Sequence, residues 1–471
     1  MVNKYNILFI SHTSNFAGAE KFLYLLLKYI NKKQFNPVVC IPEAKGVLIN
    51  FLKQLRIKYY VVPYKWWVTP RGVDKKEEFF YIWEKIIYRF NKLNQIIKKE
   101  KINLIYTNTA VILDGAICAK LNNISHIWHL HENFMERHND LNFIYGIKNH
   151  LNLILGFSDK VIVPSRELKL RIKKITKQNN KIKVVYNGLE VGSQDRIVDK
   201  KINLIKNLKE KGYFLVGNIG NISQTKNQLK LIEVLYTYIK NNPKTIIVLC
   251  GDIGSQEYMN KINHFIKKHN LEKRVYFMGF IKNINQFLYL FDTIIIFSLA
   301  EVFPYIMLEA LYNKVPIIAG KNIGGIKEII EDKKNGFLIS TFSQEELSRI
   351  LDEIRNNSKL VDKIRENGYR LVVKNFLIQD KVKQIEKIMI DTLKEYEKKK
   401  QKKEINSLVN YLLFSLDGSS FVGKSLLEEN LKLLTENQLI KNSRWWKLRE
   451  RIKKFYFPLL KMYDIFRLKK S

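Results

Sequence analysis

Ser298-Leu-Ala-Glu301-Val-Phe-Pro304-Tyr-Ile-Met-Leu-Glu309-Ala310 follows directly on the apolar run Thr293-Ile-Ile-Ile-Phe297. The run reads as a buried parallel strand. Pro304 suits the first turn of a helix, where its missing N–H costs nothing. The stretch is therefore strand, short loop, helix, with Glu301 in the loop and Glu309 in the second helical turn. The free N–H groups and positive dipole end of such a helix suit a phosphate. Two carboxylates flanking that end would repel the phosphate itself, so they suit hydroxyl groups on either side of a diphosphate.

Working outward, the same alternation runs through the chain. Upstream, residues 213–219 and 246–250 read as strands, and Gly220-Asn221-Ile-Ser-Gln-Thr-Lys226 leads from the first of them into a helix ending near residue 240. A lysine in a first helical turn is disfavoured unless an anion is present, which makes Lys226 a candidate anion ligand. Downstream, residues 315–319 and 335–339 are strands, and Gly324-Gly325 opens the helix between them. In the first half, residues 5–12, 36–41, 58–62, 102–107, 125–130 and 160–163 are strand-like. A small-residue loop around Gly18 precedes a helix over 21–30. Alternation of this kind predicts parallel sheets wound with helices, with ligands at the carboxyl ends of the strands. Two of those ends stand out, Thr107-Asn108-Thr109 and Trp128-His129-Leu130-His131. The two histidines alternate, so they face opposite sides or follow the end of the strand.

The chain has 471 residues, 46% of them hydrophobic, which predicts two globular domains. No apolar run reaches the ~18 residues of a membrane span, and the apolar stretch at the start is too short for a signal peptide. Cys40, Cys118 and Cys250 are far apart among apolar neighbours, as buried thiols of a cytosolic protein would be. The formal net charge is +36. Lysine is spread throughout, and no zinc-finger spacing or aromatic RNA-binding signature accompanies it, so nucleic acid is not an expected partner.

Taken in order, the landmarks from Gly18 to Gly336 resemble the retaining nucleotide-sugar glycosyltransferases of family 4. The 298–310 stretch resembles that family's Glu-x7-Glu signature, with Val302 in place of a glycine. The resemblance implies an α/β GT-B fold: two Rossmann-like, doubly wound parallel-sheet domains facing a central cleft. It implies that Glu301 binds the donor sugar, Glu309 the ribose, and Lys226 the diphosphate, with Gly18, Phe303, Pro304 and Leu308 lining the donor. His131 is the expected histidine facing the reacting sugar, with His129 as the runner-up. Asn221 stands where the family carries a second, arginine clamp for the diphosphate. The implied chemistry needs no cofactor or metal; no Asp-x-Asp motif is present. The substrates would be a UDP- or GDP-linked hexose and a glycan or lipid-linked acceptor of cell-envelope polysaccharide. A glycosidase using Glu301 and Glu309 does not fit, since eight helical residues span ~12 Å. A sugar- or nucleic-acid-binding protein on a decayed scaffold is the rival reading, and Asn221 favours it.

The expected domains are residues 1–190 and 213–397, joined by a polar linker over 191–212, with a late helix crossing back to the first domain and a basic helical tail over 398–471. Two basic, aromatic stretches suggest an anionic membrane surface, with a core-facing helix as an equal alternative for the first and a helix packed on the protein or a partner as the alternative for the second, and hence a cytoplasmic protein peripheral to the inner face of the membrane. One lies between residues 63 and 100 and contains Trp66, Trp67 and Arg89. The other begins at Ser443 and contains Arg444, Trp445, Trp446 and Lys447. Gly418-Ser-Ser-Phe-Val-Gly423-Lys424-Ser425 matches a P-loop, but too few residues follow it to complete a nucleotide-binding core.

Overall fold

The apolar runs form the strands of two parallel sheets. The computed structural model describes residues 4–70, 86–135, 141–192, 200–281 and 284–399. The first sheet has seven strands, in the order Lys58–Val61, Phe35–Ile41, Tyr5–Ser11, Leu104–Asn108, Ser125–His129, Lys160–Val163, Ile182–Val184. The second has six: Val275–Gly279, Thr245–Cys250, Phe214–Ile219, Thr293–Ile296, Ile317–Gly320, Phe337–Ile339. In the first sheet Leu8 pairs with both Val38 and Ile105, and in the second Gly217 pairs with both Val248 and Ile294. Each of these central strands is thus the point at which the strand order reverses. A crevice opens there, outside the carboxyl ends of the strands. The loops carrying Gly18, Thr109, Lys226 and Glu301 all leave strands on either side of those two reversals.

The strands are buried on both faces, as helix-covered parallel sheets require. Ile7, Leu8, Phe9 and Ile10 are all fully buried, as are Ile247, Val248, Leu249, Ile294 and Ile295. The polar stretch expected as a linker holds the helix Lys200–Glu210, whose Ile202, Ile205 and Leu208 are buried in the second domain's core.

The chain crosses between domains twice, and the crossings meet. The Leu189 N–H donates to the Phe376 carbonyl at 2.7 Å, and the Ile378 N–H donates to the Leu189 carbonyl at 3.0 Å. A Cβ on Gly188 would lie 2.7 Å from the Ile378 Cα, so glycine is required for the approach. The helix Ile378–Lys399 then returns to the first domain, where Val382, Ile385, Met389 and Leu393 pack beside Phe22, Leu26 and Ile127.

The aromatic segment after Pro63 divides. Trp67 is buried against His150, with ring centroids 3.7 Å apart, and Arg89 is buried in an ion pair with Asp114 at 2.7 Å. Trp66 donates from its indole N–H to the His12 carbonyl at 3.1 Å. These residues are core and cleft, not a membrane patch. The remainder of that segment over 71–85, the P-loop-like stretch and the tail over 400–471 lie outside the described residues. Among the described residues no helix is long and apolar enough to cross a membrane.

Candidate active site

In the second domain the two loops at the strand reversal are tied to each other. The Lys226 ammonium meets the Glu301 carboxylate, and the same carboxylate oxygen accepts the Ser298 hydroxyl at 2.7 Å. Ser298 is buried at the end of its strand, so it fixes Glu301 from below while Lys226 covers it from the side. The loop backbone is held by the next turn. Gly325 N–H donates to the Val302 carbonyl at 2.9 Å, and a Cβ on Gly324, whose φ is +47°, would lie 1.9 Å from the Glu301 carbonyl oxygen. Only glycine permits that packing, which explains the Gly-Gly pair read from the sequence.

Pro304 is the N-cap of the helix Tyr305–Tyr312, and Glu309 lies one turn in. Phe303 and Leu308 are buried among Ile306, Met307 and Ile326, so their side chains are packed into the second domain's core. The Phe303 carbonyl is engaged by the Asn187 amide at 3.1 Å. Asn221 is exposed on the loop after Phe214–Ile219, so that loop brings a single cation, Lys226, into contact with Glu301.

In the first domain the strand ends are lined by imidazoles. His129 sits inside the core, its Nδ1 2.7 Å from the Tyr106 hydroxyl. His131 lies past the end of the strand, where the chain is no longer extended, so its ring comes to 4.2 Å from that of His129 instead of facing the other way. Its Nε2 is 3.0 Å from the Asn108 side-chain oxygen. Burial pushes the His131 imidazole down to about 4, against a smaller upward pull from Glu20. It is neutral at physiological pH, able to donate at one nitrogen and accept at the other. Nearby, His12 Nδ1 lies 3.0 Å from the buried Glu20 carboxylate. Thr109, at the adjacent strand end, holds φ at +120°, a conformation non-glycine residues rarely adopt.

Side chains on two sides of the site join the halves. The Lys21 ammonium, from the first turn of the helix Gly18–Tyr29, meets the Glu309 carboxylate across the cleft and lies 5.0 Å from the centre of the Tyr305 ring. Gly18 lies beneath the same ring, where a Cβ would be 4.0 Å from the Tyr305 Cδ2. On the other side, Glu328 accepts the N–H groups of Arg166 at 3.0 Å and Glu167 at 2.7 Å and the Tyr186 hydroxyl at 2.7 Å. Sequence reading missed Lys21, Ser298 and Glu328. Lys21 had a signal, being a lysine in a first helical turn; Lys226, expected in such a turn, instead precedes the helix Gln228–Asn241 and its N-cap Asn227. Glu328 had none, because its partners lie 142–162 positions away.

Comparison with known proteins gives this geometry a family. The model described as Glycosyltransferase Family 4 matches residues 16–192, and that described as Glycosyl transferases group 1 matches residues 199–371. An uncharacterized glycosyltransferase of Methanocaldococcus jannaschii is 27% identical over 396 residues, covering 76% of this chain and 96% of its own. The Escherichia coli UDP-Gal:alpha-D-GlcNAc-diphosphoundecaprenol alpha-1,3-galactosyltransferase is 24% identical, over 64% of this chain and 78% of its own. Among solved structures, Anabaena HepE in complex with UDP and glucose superposes with a TM-score of 0.67 at 24% identity, covering 81% of this chain and 98% of its own. With both halves matched in order and the two sheets facing one cleft, the chain belongs to glycosyltransferase family 4 and is a glycosyltransferase of the GT-B fold.

Proposed function

We propose that this glycosyltransferase moves a hexose-type sugar from a UDP- or GDP-linked donor to a glycan or lipid-linked acceptor of the cell envelope, with retention at the anomeric carbon. The observation that carries the reading is the pairing of Lys226 with Glu301 and of Lys21 with Glu309 around the N-terminal end of the helix Tyr305–Tyr312. That end offers N–H groups without intrahelical partners. With Lys226 beside them they stabilise the diphosphate as negative charge develops on it during departure, the role that preorganised donors fill. Glu301 accepts hydroxyls of the sugar and Glu309 those of the ribose, since carboxylates are acceptor-only when ionised. His131, kept neutral by burial, holds the sugar from the opposite wall with a hydrogen bond and no charge. The wall it belongs to, with Asn108, His12 and Trp66, is where the acceptor enters. Closure of the cleft excludes water and favours transfer over hydrolysis.

Support for the acceptor class comes from the E. coli relative, whose name gives a UDP-galactose donor and a diphosphoundecaprenol-linked acceptor. A lipid-linked acceptor would place the enzyme at the cytoplasmic face of a membrane, with the residue 443–470 stretch as the anionic-surface contact. Lys226 and the helix end supply the positive charge opposite the diphosphate, so no metal ion is required for that role.

The test is a screen of UDP- and GDP-sugars for donor hydrolysis and for transfer to lipid-diphosphate sugars, with the anomeric configuration of the product read by NMR and EDTA present in a parallel series. The expected outcome is turnover of one donor class with retention, unchanged by EDTA. A protein that binds neither UDP nor GDP by titration calorimetry would instead be a non-catalytic binder on this scaffold, the reading that the exposed Asn221 favours.

A further inference from the structure

We infer that Lys21 is the second cation for the donor diphosphate: it holds Glu309 in this structure and passes to a phosphate when the donor's ribose takes that carboxylate. The inference rests on the donor reading above and adds a residue from the opposite domain to it.

Charge accounting leads there. The site holds two carboxylates, Glu301 and Glu309, each neutralised by one lysine. A nucleoside diphosphate brings at least two further negative charges. The carboxylates are then engaged by hydroxyl groups, which donate hydrogen bonds but supply no compensating charge. The cations released by that exchange are Lys226 and Lys21, and the exposed loop residue Asn221 contributes none.

Geometry puts Lys21 where the phosphates must go. Its ammonium is 5.0 Å from the ring centre of Tyr305, the first residue of the helix whose free N–H groups face the cleft. The backbone of Gly18, which begins the helix bearing Lys21, lies against the same ring. Two helix N-termini, one from each domain, therefore converge on the ammonium. A lysine in a first helical turn is held against the helix dipole, and an anion must compensate. Glu309 does so in this structure, and a phosphate does so once the donor is bound. Exposure decides which partner moves. The Glu309 side chain is 6% exposed and belongs to a packed helix, whereas that of Lys21 is 29% exposed on a flexible four-carbon stem. The exchange also gives donor binding a mechanical consequence. A contact bridging the domains directly is replaced by one that bridges them through the diphosphate, so the closed cleft comes to depend on the donor.

Lys21→Gln tests this by calorimetry, with UDP or GDP, whichever the wild type binds, compared against the matching nucleoside, uridine or guanosine. The expected result is a nucleoside diphosphate affinity about tenfold or more weaker, from loss of one charge-assisted contact. Affinity for the nucleoside should be unchanged or tighter, because Glu309 is no longer occupied. Lys21→Arg, which keeps the charge, should hold the diphosphate affinity within a few fold. Equal diphosphate affinity in wild type and Lys21→Gln would overturn the inference alone. So would an equal weakening of diphosphate and nucleoside, since Lys21 would then act only through the shape of the ribose pocket. A wild type that binds neither UDP nor GDP would overturn the donor reading together with this inference.

Discussion

The two walls of the cleft are built from the same topology and carry opposite electrostatics. At the strand ends of the first domain stand His129 and His131, both pushed toward the neutral form by burial. At those of the second stand Lys226, Glu301 and Glu309, which are held as ion pairs. The difference follows from what surrounds each loop. The first domain's strand ends are covered by Trp66, Trp67, Trp128 and Phe22, so a charge there would be desolvated without a partner. The second domain's loops meet across a reversal of strand order and leave both carboxylates in reach of a cation. One wall can therefore hold hydroxylated, neutral groups by hydrogen bonding, and the other can hold a diphosphate. A transferase needs both, facing each other.

The largest expected effect comes from acidifying the buried imidazoles of the domain that carries the neutral wall. Burial lowers His126 and His150 to about 3 and His131 to about 4, against about 6.5 for an unfolded histidine. Between those values the unfolded chain holds more protons than the folded one, so stability rises with pH across the window. The contribution is complete above about pH 6.5 and is lost as pH falls toward 4, at about 1.4 kcal/mol for each unit of displacement. Melting followed by the fluorescence of Trp67 and Trp128, both buried in this domain, should shift sharply downward between pH 7 and pH 5. A flat profile would mean that these imidazoles are not held neutral, and the contrast between the walls would fail.

Removing charge from the other wall should act on turnover and not on the fold. Lys226→Ala and Glu309→Ala are each expected to cut transfer more than tenfold, since each removes a charge-assisted contact worth ~1.5–3 kcal/mol. The melting temperature should move little, because the loops carrying them are held by backbone packing at Gly324 and Gly325. Wild-type rates in both variants would remove these residues from the site. By the same logic, raising salt should weaken nucleoside diphosphate binding while sparing that of the nucleoside, because screening acts on the charged wall alone.

The contrast also shows what the sequence could and could not reveal. Strands such as Lys160–Val163 and Phe35–Ile41 were legible to within a residue, because their apolar runs are bounded by polar loops. The helix Lys200–Glu210 was hidden by its lysines, although Ile202, Ile205 and Leu208 already form a stripe at three-residue spacing. Trp66, Trp67 and Arg89 read equally as an interfacial patch or as core helix in the sequence. Composition cannot say that a guanidinium has Asp114 to pair with inside the core. Glu301 and Lys226 were legible from local pattern, each near a loop that follows a strand, although the helix expected to include Lys226 begins only at Gln228. The Lys21–Glu309 contact was not, because it joins positions 288 residues apart and depends on how the two domains face each other.

The smallest expected effect sharpens the comparison at its border. Glu328 belongs to the second domain, yet its carboxylate caps a helix of the first, Arg166–Thr176, by accepting two of that helix's orphan N–H groups. Ser165 caps the same helix from its own chain neighbourhood, accepting the Leu168 N–H at 3.1 Å, and a Cβ on Gly325 would lie 2.9 Å from the Ser165 Cβ. The cap is thus shared between the domains on the side of the cleft away from Lys21. Glu328→Gln keeps an acceptor and loses the charge at a helix N-terminus, a change worth about 0.3–1 kcal/mol. Ser165→Ala removes a neutral cap at about 1 kcal/mol. Both should lower the melting temperature by a few degrees at most and leave the rate of transfer within about threefold, since Glu328 bonds the Arg166 and Glu167 N–H groups and the Tyr186 hydroxyl, whereas Lys226 bonds Glu301. If Glu328→Gln instead costs transfer as much as Lys226→Ala does, while Ser165→Ala does not, the carboxylate is acting on the substrate. The charged wall would then extend past Gly324 to the interdomain seam.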